Sequence, residues 1–259
     1  MKYETVKCEL DGAVAIITIF RPDSMNAFNT TLRHELLAAF NEVAANDSVR
    51  AVVLAGEGRS FCAGADLKDD IGAGRTIEQV LQEEYRPILE CIATMRQPVI
   101  AAVGGSAAGI GMSFALACDL LIMADNAFLL SPFTTISLVP DGGLNWMLVH
   151  QLGYRRAFQL CIESERISAA KCVELGLANR SAPAGELLEA AVNWGKAIAA
   201  RAPLSITATK KAMRHAASGS WASTFDVEAP MQDALRNSED SAEGIAAFFD
   251  KRKPEFKGK

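Results

Sequence analysis

The chain has 259 residues, half of them hydrophobic and 22% charged, enough apolar material for a sizeable core and too much for a disordered chain. A formal net charge of −5 argues against a nucleic-acid-binding surface, while leaving room for a local basic patch that meets a phosphorylated ligand. The first residues form no apolar leader and no later apolar run is long enough to span a bilayer, so a cytoplasmic protein without membrane or nucleic-acid partners is expected.

Residues 6–10 and 14–20 are rich in β-branched and apolar side chains and flank Asp11-Gly12, a pattern that predicts a hairpin. Residues 31–45 place Leu32, Leu36, Phe40 and Val43 at spacings of three and four, an amphipathic helix with Thr30 available as its cap. Residues 51–56 and 98–103 are short, continuously apolar runs of the kind found in buried parallel strands, with a helix over about 77–95 between them. A glycine-rich turn over 104–111, a small-residue helix over 112–117 and a strand over 119–124 repeat the order. Such recurrence implies right-handed βαβ crossovers and an α/β core. Beyond Gly153 only helices are expected, over 154–162, 168–175, 185–200 and 203–215, with two more near the C-terminus. No low-complexity linker interrupts the chain, and the reading is a core over 1–200 followed by a helical region over 201–259.

Cys8, Cys62, Cys91, Cys118, Cys161 and Cys172 show neither a CxxC pair nor a zinc-type spacing with histidine, so they read as buried free thiols and no metal is expected. His34, His150 and His215 all fall in predicted helices without a second ligand at helical spacing, which assigns them to packing or surface.

Two segments have the composition of ligand-approaching loops. The run Ser60-Phe61-Cys62-Ala63-Gly64-Ala65-Asp66-Leu67-Lys68 follows a buried strand, and small residues there let a ligand come close to the backbone. The run from Val103 to Ser113 is again strand, tight glycine turn and helix start, but it lacks the GxGxxG order of a dinucleotide site. A helix N-terminus carries unpaired N–H groups and the positive end of the helix dipole, so two such loops can each aim one N–H at a developing oxyanion.

Taken together, Arg21-Pro22-x-x-x-Asn26-Ala27, Phe61-Cys62-Ala63-Gly64-Ala65-Asp66-Leu67, Ala107-x-Gly109-x-Gly111, Cys118-Asp119 and Val139-Pro140-Asp141-Gly142-Gly143 resemble the crotonase (enoyl-CoA hydratase/isomerase) superfamily. So do Ala169-Ala170-Lys171-x-x-Glu174-Leu175-Gly176-Leu177 and the closing segment from Glu243 to Arg252, in the order of that family, and the likeness is strongest to its phenylacetate-pathway isomerases. The resemblance implies a spiral of repeated ββα/βαβ turns with a C-terminal helical trimerisation region, assembled as a homotrimer or as a hexamer of two trimers. It implies an acyl-CoA thioester substrate and no cofactor, coenzyme A entering as part of the substrate. Carried over by position, the two oxyanion N–H groups fall on Ala65 and Ile110. By the same resemblance Ala63, Asp66, Leu67 and Lys68 line the CoA path, and Lys251 approaches the CoA phosphates from a neighbouring subunit; the alternative for Lys251 is simply the solvated end of a terminal helix.

Where family hydratases carry two glutamates, this sequence has Ser113 and Phe133, neither of which is a base near neutral pH. What remains is Asp141, which reads either as the cap of the helix that begins after Gly143 or, by the resemblance, as an isomerase acid/base. One carboxyl group suffices to take a proton from the α carbon and return it to the γ carbon, and apolar surroundings supplied by Phe133, Ile136, Leu138 and Trp146 would raise its pKa toward neutrality. The expected activity is therefore a 3-enoyl to 2-enoyl-CoA isomerisation. The alternatives are a hydratase in which Asp141 activates water and a non-catalytic acyl-CoA-binding member.

Overall fold

The computed structural model describes residues 3–259. Strands β1 (Val6–Asp11) and β2 (Val14–Ile19) form the expected antiparallel hairpin, with Val6 opposite Ile19 and Asp11 opposite Val14. Helix α1 (Thr30–Ala45) is capped by Asn29, whose side chain accepts the Leu32 N–H at 2.9 Å, and not by Thr30. Thr30 instead gives its N–H and its hydroxyl to Asp69, both at 3.0 Å. Strands β3 (Ala51–Gly56) and β4 (Ser60–Cys62) follow. The helix expected over 77–95 is present in three parts: α2 (Ile77–Val80), a π-helical turn (Leu81–Tyr85) and α3 (Arg86–Thr94). Strands β5 (Val99–Val103) and β6 (Ser106–Ala108), helix α4 (Ile110–Ala117), and strands β7 (Leu120–Ala124) and β8 (Phe128–Leu130) complete the repeated unit.

The second half holds α5 (Leu144–Leu152), α6 (Tyr154–Glu163), β9 (Ile167–Ser168), α7 (Ala169–Glu174), β10 (Arg180–Ala182), α8 (Leu187–Ala199), α9 (Pro203–Ala216), α10 (Trp221–Arg236) and α11 (Glu239–Asp250). The expectation of helices alone beyond Gly153 is thus corrected by β9 and β10. Strands of two and three residues are too short to leave a period-two signature in the sequence.

The strands sort into two sheets, a six-stranded one in the order β1-β2-β3-β5-β7-β10 and a four-stranded one in the order β4-β6-β8-β9. Within the large sheet β2, β3, β5, β7 and β10 run parallel, as do β4, β6 and β8 in the small one. Successive turns of the chain therefore place one strand in each sheet before a helix returns it, which generates a spiral. Residues 51–55 and 99–103 are buried throughout, as required of parallel strands covered on both faces. Helix α8 lies on the large sheet, where a side chain at Gly195 would press on Val14 Cγ1 at 3.2 Å. Helix α9 is tied to the core by buried Lys210, which donates to the carbonyls of Ile92 and Gln97 and pairs with Asp119 at 2.7 Å.

Among the described residues no cluster of ligating side chains suits a metal ion, and no helix is long and apolar enough to cross a membrane. All six cysteines are free thiols, but Cys8 is exposed, because strand β1 buries little beyond Val6, and Cys91, on α3, is only partly covered. The three histidines lie in helices α1, α5 and α9 as expected.

Asn26, quoted above only as a motif residue, is a fastener. Fully buried and held at φ 58°, it accepts the Arg21 N–H at 2.9 Å and donates to the carbonyls of Glu57 and Ser60 at 2.9 and 2.6 Å. It thereby locks the turn after β2 onto the β3–β4 connection, directly beneath the first ligand-approaching loop. Asn26→Ala removes the partner of the Arg21 N–H and of the Glu57 and Ser60 carbonyls, the last of them buried, and places alanine in a left-handed conformation. A loss of roughly 2–4 kcal/mol in chemical denaturation is expected.

Candidate active site

The two glycine-bearing loops meet backbone to backbone. A side chain at Gly64 would meet the Ala108 carbonyl oxygen at 3.2 Å, and one at Gly109 would meet Gly64 Cα at 3.6 Å. Gly64 and Gly109 have φ of 114° and 55°, values that side-chain-bearing residues rarely adopt. Gly111 presses equally closely on Cys62, whose Sγ lies 2.8 Å from where a β carbon would stand. Three glycines thus bring the segments 62–65 and 108–111 into contact.

The hydrogen bonding of these segments leaves three N–H groups without an acceptor among the described residues, those of Ala65, Ile110 and Gly111. The Ala63 N–H goes to the Met25 carbonyl at 3.0 Å, the Gly64 N–H to Cys62 Sγ at 3.4 Å and the Asp66 N–H to the Phe28 carbonyl at 2.9 Å. Phe28 in turn donates to the Gly64 carbonyl, so it pairs with Ala65 as a parallel bridge and turns the Ala65 N–H to the opposite side. That N–H meets no acceptor among the described residues. On the second loop the Gly109 N–H is taken by Leu130 and the Met112 N–H by Gly109, whereas Ile110 and Gly111, the first two residues of α4, keep their N–H groups free among the described residues, and the resemblance assigns the oxyanion role to Ile110. Ala65 is exposed while Ile110 is buried. The Ile110 side chain turns onto Gly142, where its Cδ1 stands 2.4 Å from the position of a β carbon.

Asp141 is brought to this place by the same contacts. The buried Ser113 hydroxyl donates to the Asp141 carbonyl at 2.9 Å, and Gly142, at φ 62°, fits against Ile110 and Ser113 where no side chain could. Ser113, excluded above as a base, therefore anchors the backbone of the one candidate acid. The cap reading of Asp141 is not what the structure shows: α5 is preceded by Gly143 in a left-handed conformation and has no side-chain cap. Asp141 Oδ1 is instead buried without a partner among the described residues. Burial pushes its carboxyl up to about 6, offset in part by its own backbone N–H. The expected surroundings need correction, because Ile136 and Leu138 project into solvent, with more than half of each exposed. Phe133 is buried beside Gly109, 3.9 Å from its β position, and Trp146 is half-buried.

The remaining candidates divide. Asp66 pairs with Arg21 at 3.1 Å and accepts the Lys68 N–H at 3.1 Å; these contacts outweigh its burial and hold its carboxyl below the ordinary range. Leu67 and Lys68 are exposed at the mouth, and Ala63 is half-buried beneath it. Lys251 terminates α11 at φ 55°, exposed, and donates no hydrogen bond to the loops around Ala65 and Ile110. Cys62, although adjacent, is no nucleophile, since burial pushes its thiol up to about 12.

A buried ionic cluster behind the first loop has no counterpart among the sequence expectations. Arg33 pairs with Glu84 at 2.6 Å and with Asp69 at 3.1 Å, and Arg75 pairs with Glu84, which ties residues 69–75 to α1 and to the π-helical turn. An extra residue in that turn lets consecutive side chains, Glu84 and Tyr85, both face inward. Tyr85 stacks edge-on to Phe28 and Phe114 at 5.6 and 6.4 Å.

The sequence matches the enoyl-CoA hydratase/isomerase family over residues 9–259. The chain belongs to this family. Among similar proteins, a probable enoyl-CoA hydratase of Rhodobacter capsulatus is 40% identical over the whole of both chains. A 1,2-epoxyphenylacetyl-CoA isomerase of Escherichia coli is 30% identical over 99% of each. The crystal structure of an enoyl-CoA hydratase subunit from Geobacillus kaustophilus superposes with a TM-score of 0.92 at 32% identity, covering all of both chains. That of an enoyl-CoA hydratase from Polaromonas sp. JS666 gives 0.93 at 34% identity, covering 97% of this chain and 99% of its own. The spiral described above is the crotonase fold.

The raised pKa of Asp141 carries a stability consequence. Folding favours the neutral carboxylic acid, so the stability it contributes is full below the unfolded pKa of about 4 and is lost as pH rises through about 6. Asp141→Asn, neutral at every pH, is expected to be more stable than the parent above pH 6 and about equal below pH 4. The gain should be roughly 1–2 kcal/mol, reduced from the full value by the solvent that reaches this half-buried group. Thermal unfolding measured across that range checks it.

Proposed function

We propose that the protein is an acyl-CoA double-bond isomerase in which Asp141 is the proton shuttle and the N–H groups of Ala65 and Ile110 hold the thioester oxygen. The single observation that carries this reading is the unpartnered, buried Asp141 carboxyl adjoining a free N–H pair. A 3-enoyl-CoA binds with its thioester oxygen on the two N–H groups. The Asp141 carboxylate takes a proton from the α carbon, and the electron pair moves onto the thioester oxygen as an enolate. The electrons then return through the α carbon to form the 2,3 double bond, while the γ carbon takes the proton back from Asp141. Atoms and charge balance, and no other reactant enters. Losing one such oxyanion donor costs about 2.7–4 kcal/mol in enzymes that use them, so the N–H pair ranks with the base in importance. Ser113 and Phe133 support isomerisation over hydration, because they leave one carboxyl group where a two-glutamate hydratase has two.

A second reading, hydration of a 2-enoyl-CoA with Asp141 activating water, is favoured by the relative from Rhodobacter capsulatus named as a probable hydratase. Supplying 3-enoyl-CoA and 2-enoyl-CoA separately and identifying the products decides between the two. The isomerase converts the first into the second, whereas 3-hydroxyacyl-CoA formed from the second without any isomerisation of the first overturns it. For the isomerase, kcat/KM should rise with pH through about 6 and level off, since the base must be ionised in the free enzyme. Asp141→Asn should lower kcat by about 100-fold or more.

The exposed aromatic residues of α10 and α11, Trp221, Phe225, Phe248 and Phe249, support a trimer built through the C-terminal helices, with Lys251 offered to a neighbouring CoA site. Light scattering is expected to give three times the chain mass, and Trp221→Asp combined with Phe248→Asp to lower it.

A further inference from the structure

Two polar atoms near the reacting centre are buried without a partner among the described residues: Asp141 Oδ1 and the Tyr85 hydroxyl. The proposed reaction uses the first and leaves the second without a task. Tyr85 is only 5% exposed, and a phenylalanine would fill the same space against Phe28 and Phe114 without an orphaned hydroxyl. Its ring is nonetheless aimed by the π-helical turn, with the Arg33 guanidinium 5.2 Å from its centre.

The ring lines a cavity of about 460 Å³ whose wall includes Gly142 and Gly143, the two residues that follow Asp141. Leu81, Leu89, Trp146 and Met147 make much of that wall apolar. The charged side chains on it are already engaged, Arg86 with Glu90 at 2.6 Å and Arg214 with Asp119 at 2.8 Å. Among the residues of that wall, Tyr85 is the one with a buried polar atom that has no hydrogen-bond partner among the described residues. Burial pushes the phenol up, the Arg33 charge opposes this, and Cys62 and Asp141 reinforce it, so the group stays protonated and donates.

We propose that Tyr85 is a specificity-determining residue whose hydroxyl donates a hydrogen bond to an oxygen on the acyl group, close to the carbons that Asp141 serves. The preferred ligands are then oxygenated acyl-CoA thioesters rather than plain hydrocarbon ones. This rests on the reading of Asp141 and the N–H pair as an acyl-CoA site.

The test is calorimetric titration of full-length parent and Tyr85→Phe with hexanoyl-CoA and with each enantiomer of 3-hydroxyhexanoyl-CoA. The parent is expected to bind one hydroxylated thioester about tenfold more tightly than the plain one, and Tyr85→Phe to lose that preference. Tyr85→Phe should also unfold at the same temperature as the parent or higher, since it removes only an unpaired hydroxyl. Equal affinity for all three thioesters in the parent, or an undiminished preference in the variant, overturns the role of Tyr85 and leaves the acyl-CoA reading standing. Failure of the parent to bind any of them overturns both.

Discussion

The structure depends on one close approach, that of the backbone at Gly64 to the backbone at Gly109. Two parallel strands of the small sheet, β4 and β6, deliver the two loops to the same edge, and glycine at both positions removes the side chains that would hold them apart. The local pairing then leaves only one outcome for the N–H groups on either side. Ala63, Gly64, Asp66 and Gly109 all find acceptors within the fold, while Ala65, Ile110 and its neighbour Gly111 find none among the described residues. An unpaired N–H is costly in a protein interior, as at buried Ile110, and its occurrence there on the loop that meets the exposed Ala65 segment marks a place where something outside the chain completes the bonding.

Around that pair the chain accepts further local cost. Asp141 has a half-buried carboxyl with an unpartnered oxygen, at the end of a segment pinned by Ser113 and fitted through Gly142. A carboxyl group in such surroundings binds its proton more tightly, which is the property required of a group that must take a proton and give it back near neutral pH. The ionic cluster of Arg33, Glu84, Asp69 and Arg75 sits one layer behind and is well paired. The ion pairs behind the site are thus made, while Gln97 Oε1, Ser131 Oγ and His215 Nε2 are, like Asp141 Oδ1, buried without a partner among the described residues.

How much of this was legible depends on length and on locality. The hairpin, the buried strands β3 and β5 and most helices follow from runs long enough to show a period, and Ala65, Ile110 and Asp141 follow from motif order along the whole chain. Strands β4, β6, β8 and β9 have two or three residues each, so the second sheet left no pattern to read. The π-helical turn is likewise invisible, because one extra residue shifts the helical phase without changing its composition. Tyr85 escaped notice for that reason. Asp141 was ambiguous between cap and acid because both favour aspartate before a helix, and only the position of Gly143 and the orphaned Oδ1 separate them. Ser113 was read for what it cannot do; its hydrogen bond to a residue 28 positions away is a tertiary fact.

The central claim is that the N–H pair and Asp141 together form and quench an enolate. Exchange of the α hydrogens of hexanoyl-CoA in deuterium oxide, followed by mass spectrometry, isolates that step from any double-bond movement. The account predicts deuterium at the α carbon with the parent protein and almost none with Asp141→Asn. Exchange that proceeds as fast in the variant as in the parent, or that is absent from both while the thioester binds, would contradict it.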